Sequence, residues 1–372
     1  MSDDGIRVAH TSAERVDDVI ADLYAGLGAA PPAVVLFFAP DRPGEEVIRA
    51  LSAAWPRTRI IGCSTAGEIS TGVLRNHSIV AAGLDARFVR RAAVALADFH
   101  DGVERGVARA VAQLESTFGP LGALDPTTHV GLVLVDSTHG VEESTNVALG
   151  NHAPLLSFVG GSAGDNLRFK ETPVVTCAGS TRHGAALMLL ELLRPFRVSK
   201  ACHFEPTNSC FRVTRAEGRR LFELDGRPAA EVYAEYIGCP PEALSFENLF
   251  ANPAGIVIDG KAWVRQVVPP VVDGGAITLG CSIAEGAELH FMKPRLGLVG
   301  HLRQEIVLAR AELGRIRGAL LFDCALRRLE LEATQKTDDY ARLIEFPAAG
   351  FHTHGESWLG HMHQTLTAIY LG

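Results

Sequence analysis

Ala33-Val-Val-Leu-Phe-Phe-Ala39, then Pro43 to Ala54, then Arg59-Ile-Ile-Gly-Cys63 is the stretch on which the fold turns. An unbroken apolar run, a segment opening on proline and a second apolar run read as strand, helix and strand. This is a β-α-β rhythm. Upstream, Ile6 to His10 reads as a strand, and Thr11-Ser-Ala-Glu14 has the form of a capping box opening a helix to about Gly28. Downstream come strands at Ser78 to Gly83 and Phe88 to Ala97, a helix from Gly102 to Phe118 and a buried strand at Val130 to Val135. Asp136-Ser-Thr-His139-Gly140 follows that strand's carboxyl end, where open α/β sheets bind ligands, although Asp, Ser and Gly are also what a plain turn needs.

Beyond Phe158 the rhythm changes. Pro173 to Cys177, Ala185 to Leu193, Phe196 to Phe204 and Phe211 to Thr214 read as strands with few helical intervals, an antiparallel pattern. A helix at Ala229 to Ile237, a strand-rich block from Gly255 to Phe291, a helix from Arg295 to Leu313, a strand at Gly318 to Phe322 and a helix near Lys336 to Ile344 follow. The expected fold class is α/β, with two closely packed domains built on mixed sheets with flanking helices, and a boundary near Ala216 dividing 1–216 from 217–372.

Composition narrows the functions. With 35 Lys and Arg against 43 Asp and Glu, and no basic run, nucleic acid is not an expected partner. The acidic start, Met1 to His10, lacks the regions of a secretory signal, and no apolar stretch reaches the length of a membrane span, so a cytoplasmic protein without membrane insertion is expected. Seven cysteines without a Cys-x-x-Cys pair argue against a disulfide framework or zinc ribbon.

An internal repeat ties distant stretches together. Gly62-Cys-Ser-Thr-Ala-Gly-Glu68 and Gly350-Phe-His-Thr-His-Gly-Glu356 share the pattern G-x-x-T-x-G-E, and Gly160-Gly-Ser-Ala-Gly-Asp165 is a shorter relative. Each follows an apolar run. Glycines permit close backbone approach, while hydroxyls and carboxylates supply polar contacts, so three such loops can wall one pocket or simply turn three strands. The candidate ligand-binding residues are Cys63, Ser64, Thr65 and Glu68, then Gly160, Gly161, Asp165 and Asn166, then Thr353 and Glu356.

The last loop is also rich in histidine. His352 and His354, and His361 and His363, form two His-x-His pairs whose members share a face in extended backbone. Imidazole suits iron, zinc, copper and nickel, so these four are the candidate metal ligands, for a mononuclear site or one axial haem bond; the spacing does not choose, and histidines with no functional use fit it too. Phe346, Phe351, Trp358 and Met362 suit a haem slot and a core equally. No Gly-x-Ser-x-Gly elbow supports a serine hydrolase.

Ile60 to Glu68, Val159 to Asp165, Leu224-Asp-Gly-Arg-Pro-Ala229, Leu321-Phe-Asp-Cys324 with Arg327, and Gly350 to Thr365 together resemble the FIST family of tandem N- and C-terminal domains, from about Ala33 to Gly372. The resemblance implies a ligand-sensing role in signal transduction, with amino acids among the proposed ligands. Some members bind haem b, sense nitric oxide and regulate a histidine kinase or a cyclic-di-GMP enzyme, which sets haem or a transition metal as the cofactor options and such an enzyme as the partner. The chain departs from the family at His352, His354 and His363, which stand where Ser, Tyr and Asn are usual. These replacements either strengthen metal or haem binding or abolish the usual ligand contact. The expectation is therefore a sensor signalling through a partner, with a metal-dependent enzyme built on the His-x-His pairs as the alternative.

Overall fold

The computed structural model describes residues 5–372, apart from the side chains at 269–271 and 273; Met1 to Asp4, part of the acidic start, lie outside the described residues. The chain forms two compact units. One runs up to Ala201 and resumes at Leu302–His361 and Leu366–Gly372; the other comprises Cys202–His301 and Met362–Thr365. Both carry mixed α/β structure, as the sequence leads one to expect.

The first unit is one motif built three times. The first copy is β1 (Ile6–Thr11), α1 (Val16–Leu27), β2 (Ala33–Phe38), α2 (Gly44–Ala54), β3 (Arg59–Ser64), β4 (Glu68–Ser70), β5 (Val73–Arg75) and β6 (Ile79–Leu84). The second is β7 (Val89–Asp98), α3 (Val103–Phe118), β8 (His129–Val135), α4 (Glu142–His152), β9 (Phe158–Ser162), β10 (Val174–Thr176), β11 (Gly179–Thr181) and β12 (Gly184–Leu192). The third opens with β13 (Phe196–Cys202) and is interrupted by the second unit.

That second unit contains β14 (Phe204–Glu217), β15 (Arg220–Leu224), β16 (Arg227–Pro228), α5 (Ala229–Ile237), α6 (Phe246–Ala251), β17 (Ala254–Ile258), β18 (Lys261–Arg265), β19 (Val267–Asp273), β20 (Ala276–Leu279) and β21 (Glu288–Pro294). Its strands form one sheet in the order β18-β17-β21-β14-β15-β20-β19, with β16 on β15, and Tyr233 and Phe291 pack edge to face in its core. Ala216, the expected boundary, lies within β14. The third copy then resumes with α7 (Leu298–Leu313), β22 (Gly318–Cys324), α8 (Ala325–Ala333), α9 (Thr337–Ala341), β23 (Ala348–Thr353), β24 (Glu356–Ser357), β25 (His361–Met362) and β26 (Thr365–Leu371).

Three six-stranded sheets result, and they match strand for strand: β1-β6-β2-β3-β10-β11, β7-β12-β8-β9-β24-β25 and β13-β26-β22-β23-β4-β5. In each, the central pair is parallel: β2 with β3, β8 with β9 and β22 with β23. The last two places are always taken by a hairpin from another copy. The first copy's hairpin completes the third sheet, the third's completes the second, and the second's completes the first, a cyclic exchange that locks the copies together.

Sequence explains the central pairs. Their strands are apolar on both faces because one face meets the shared core and the other meets helices. Phe37, Phe322 and Phe351 meet in that core, with Phe37 and Phe351 ring centroids 4.8 Å apart. The recurrent glycine has a packing cause: a Cβ at Gly62, Gly160 or Gly350 would stand 2.4, 1.8 or 2.1 Å from a carbonyl oxygen of the adjoining parallel strand. One local expectation is corrected. Thr11 caps no helix; it ends β1, its hydroxyl donates to Asp22 at 2.5 Å, and α1 starts at Val16 after Arg15, which makes no side-chain cap.

Candidate functional site

The three repeated loops occupy one position in the motif, directly after the second strand of each parallel pair. Ser64, Ser162 and His352 are equivalent there. Each carbonyl accepts an amide from the loop of another copy: Gly164 to Ser64 at 2.9 Å, His354 to Ser162 at 3.1 Å and Ala66 to His352 at 3.0 Å. The loops are thus laced in the same cyclic order as the hairpins.

Their threonines and acids hold the loops' shape. Thr65 Oγ1 donates to Glu68 Oε1, and Thr353 Oγ1 donates to Glu356 Oε1, each at 2.5 Å. Glu68 also accepts the Ser78 hydroxyl at 2.6 Å and amide at 3.2 Å. Burial raises the Glu68 carboxyl above its ordinary value despite those hydrogen bonds. Asp165 takes the corresponding place in the shorter second loop, accepting amides of Phe169 at 2.8 Å, Lys170 at 2.7 Å and Glu171 at 3.3 Å. Burial pushes its pKa up, but these amides outweigh burial and leave it below the ordinary value. Asp165 thereby fixes a loop in which Asn166, Leu167 and Phe169 all adopt φ between 51° and 61°, a left-handed region that Leu and Phe rarely enter.

At the carboxyl end of each parallel pair a helix begins, so each copy has a cleft of the kind where α/β sheets bind ligands. In the first, the Ala39–Pro43 connection leaves a cavity of about 510 Å³ between the start of α2 and the Asp165 loop. Phe38, Ser64, Arg49, Arg168, Lys170 and Glu171 are among its walls, together with Arg182, which pairs with Glu45 and Glu171. Ser64 is 1% exposed, and its hydroxyl has no hydrogen-bond partner among the described residues. In the third copy β22 runs straight into α8, and the cleft shrinks to about 330 Å³ beside Ala66, Asn166 and Arg328. In the second, the third loop fills the equivalent place: Ser137 Oγ meets His354 Nδ1 at 3.0 Å, and Asn146 donates to Ser357 Oγ at 3.2 Å.

The chain's halves follow known sequence families. The model described as FIST N domain matches residues 33–227, and that described as FIST C domain matches residues 229–358. The chain belongs to the FIST family. No curated protein matches it. FIST domains are small-ligand sensors of signal transduction. In this FIST protein the family's division cuts across the repeats, because β13 falls in the N-terminal match and α7 to β24 of the same third copy in the C-terminal one. No helix among the described residues is long and apolar enough to cross a membrane.

The candidate residues therefore divide. Ser64 and Asp165 line the large cavity, and Asn166 lines the smaller one. Cys63 and Gly161 lie buried in β3 and β9; a Cβ on Gly161 would meet the Thr353 methyl at 2.6 Å. His352 is buried in β23, its pKa pushed well below the ordinary range by burial first and then by Arg328 and Arg327. His354 stands over Phe169 with ring centroids 4.5 Å apart, and burial lowers its pKa to about 4. His361 is buried at β25 in the first unit, whereas His363 belongs to the second, its Nδ1 3.4 Å from Cys281 Sγ.

Haem does not fit at His354 as that side chain stands. A porphyrin needs an apolar slot against its ligating imidazole, but His354 is enclosed by Phe169, Ser137 and Asp165 with its side chain 1% exposed. Among the described residues, neither His352 nor His354 joins a group of three ligating side chains. The charged walls of the cavity were missed in the sequence, since Arg49, Lys170 and Arg182 are far apart along it. The proline-led start of α2 was the available signal.

Proposed function

We propose that this FIST protein senses a small zwitterion of amino-acid type, held in the cleft between the start of α2 and the Asp165 loop. The observation that carries the reading is Ser64: a buried hydroxyl without a partner, in the wall of a cavity that also borders a helix N-terminus. First-turn amides have no intrahelical acceptor and, with the helix dipole, favour a carboxylate. Arg49, Arg168 and Lys170 add positive charge, while Glu46 and Glu171 offer acceptors for an ammonium group. The loop's left-handed residues, pinned by Asp165, are the element whose conformation ligand binding would bias. Output passes through a partner protein, a histidine kinase or cyclic-di-GMP enzyme being the reading the family supports.

A thermal-shift screen of free amino acids and their decarboxylated amines tests this. The amino acid that stabilises the chain should lose its effect as the amine, and in Arg49→Glu. Equal stabilisation by the amine, or none by any amino acid, overturns the reading.

A further inference from the structure

The second unit holds a side-chain cluster that ligand sensing does not use. β14 and β21 are antiparallel, and their register sets Cys210 opposite His290 and Arg212 opposite Glu288. Alternate strand residues share a face, so Glu288 stands beside His290 while Cys210 joins from the next strand. A register shift between Pro206 and Cys210 precedes the cluster, the kind of irregularity that re-aims a side chain. One ligating atom from each of Cys210, Glu288 and His290 lies within 4.8 Å of the other two.

The spacing is that of a coordination shell. Cys210 Sγ and His290 Nε2 are 3.5 Å apart. Tetrahedral zinc, with Zn–S near 2.3 Å and Zn–N near 2.05 Å, sets sulfur and nitrogen ligands roughly 3.5 Å from each other. We propose that Cys210, Glu288 and His290 bind a divalent transition cation of the zinc type through thiolate, carboxylate and imidazole, with water completing the shell. Cys210 and Glu288 are exposed and His290 half-buried, so the fourth position opens to solvent. Thiolate and imidazole select against calcium and magnesium. Burial, then the charges of Glu288 and Asp225, raises the Cys210 thiol above its ordinary value, a cost that a bound cation reverses. Three protein ligands with one open position is also the arrangement that admits an exchangeable ligand at the metal.

Titration of the full chain with cobalt(II) tests the site. One equivalent should produce a thiolate-to-cobalt charge-transfer band with tetrahedral visible bands. Cys210→Ser should abolish the charge-transfer band with unchanged circular dichroism, and His290→Ala should weaken binding by at least about tenfold. Zinc should also slow alkylation of Cys210, followed by peptide mass spectrometry, in the native chain but not in His290→Ala. A charge-transfer band of equal strength in Cys210→Ser, no band at one equivalent, or alkylation of Cys210 indifferent to zinc would each overturn the proposal; the last would leave the 3.5 Å contact as a thiol–imidazole hydrogen bond alone.

Discussion

Asp165 Oδ1 and His354 Nε2 stand 3.9 Å apart, joining the loop of the second copy to that of the third. At that distance, with burial holding the imidazole at about 4, this is a neutral histidine beside a carboxylate rather than an ion pair. The sign of its pH dependence follows. The unfolded imidazole takes a proton near 6.5 and the folded one near 4, so the unfolded state binds more protons between those values, and stability falls as pH falls through that window. The loss is about 3 kcal/mol by pH 4. Denaturant melts at successive pH values should show it, and His354→Gln should flatten the slope between pH 6.5 and 4 relative to the native chain.

The lone hydroxyl at Ser64 predicts an unusual pairing of effects. Ser64→Ala removes a buried polar atom without a partner, so stability should hold or rise by about 1 kcal/mol. Loss of a hydrogen bond to a charged ligand group should weaken binding by about tenfold or more. A melt and a ligand titration on the same variant check both halves.

Arg327 is fully buried, its guanidinium donating to Asp323 Oδ1 at 2.5 Å and to the Tyr340 hydroxyl at 3.1 Å. Arg327→Met should destabilise the chain by about 3–5 kcal/mol, because Asp323 is left charged and buried. Adding Asp323→Leu should recover most of that loss. The double-mutant cycle, read by chemical denaturation, distinguishes a buried pair from simple packing.

Two glycines should behave in opposite ways. At Gly160 a Cβ would lie 1.8 Å from the Val133 carbonyl oxygen, so Gly160→Ala should cost about 3 kcal/mol or more as the parallel strands are pushed apart. Gly150, within α4, has open space, and Gly150→Ala should stabilise by up to about 1 kcal/mol. Melting temperatures of the two variants are the check.

Much of this was legible in the sequence because local chemistry repeats. The β-α-β alternation of Ala33 to Cys63 announced the parallel pair, and Gly62, Gly160 and Gly350 marked one position in three copies. The exchange of hairpins was not legible: β4, β10 and β24 are three residues or fewer, and nothing in so short a segment names its partner sheet. Thr11 misled because a capping pattern was satisfied in sequence while the strand pairing of β1 with β6 claimed the residue. Helix α8 carries an apolar stripe but follows β22 without a break, leaving no turn signal to announce it. The enclosure of His352 and His354 by packing was not legible either, because burial is a tertiary property that a spacing rule does not contain.

Isothermal calorimetry on the full chain with the amino acid selected by thermal shift is the most direct test of the central claim. The account predicts one saturable site per chain whose affinity falls about tenfold or more in Ser64→Ala and is lost in Arg49→Glu. Binding of undiminished affinity in both variants would contradict it.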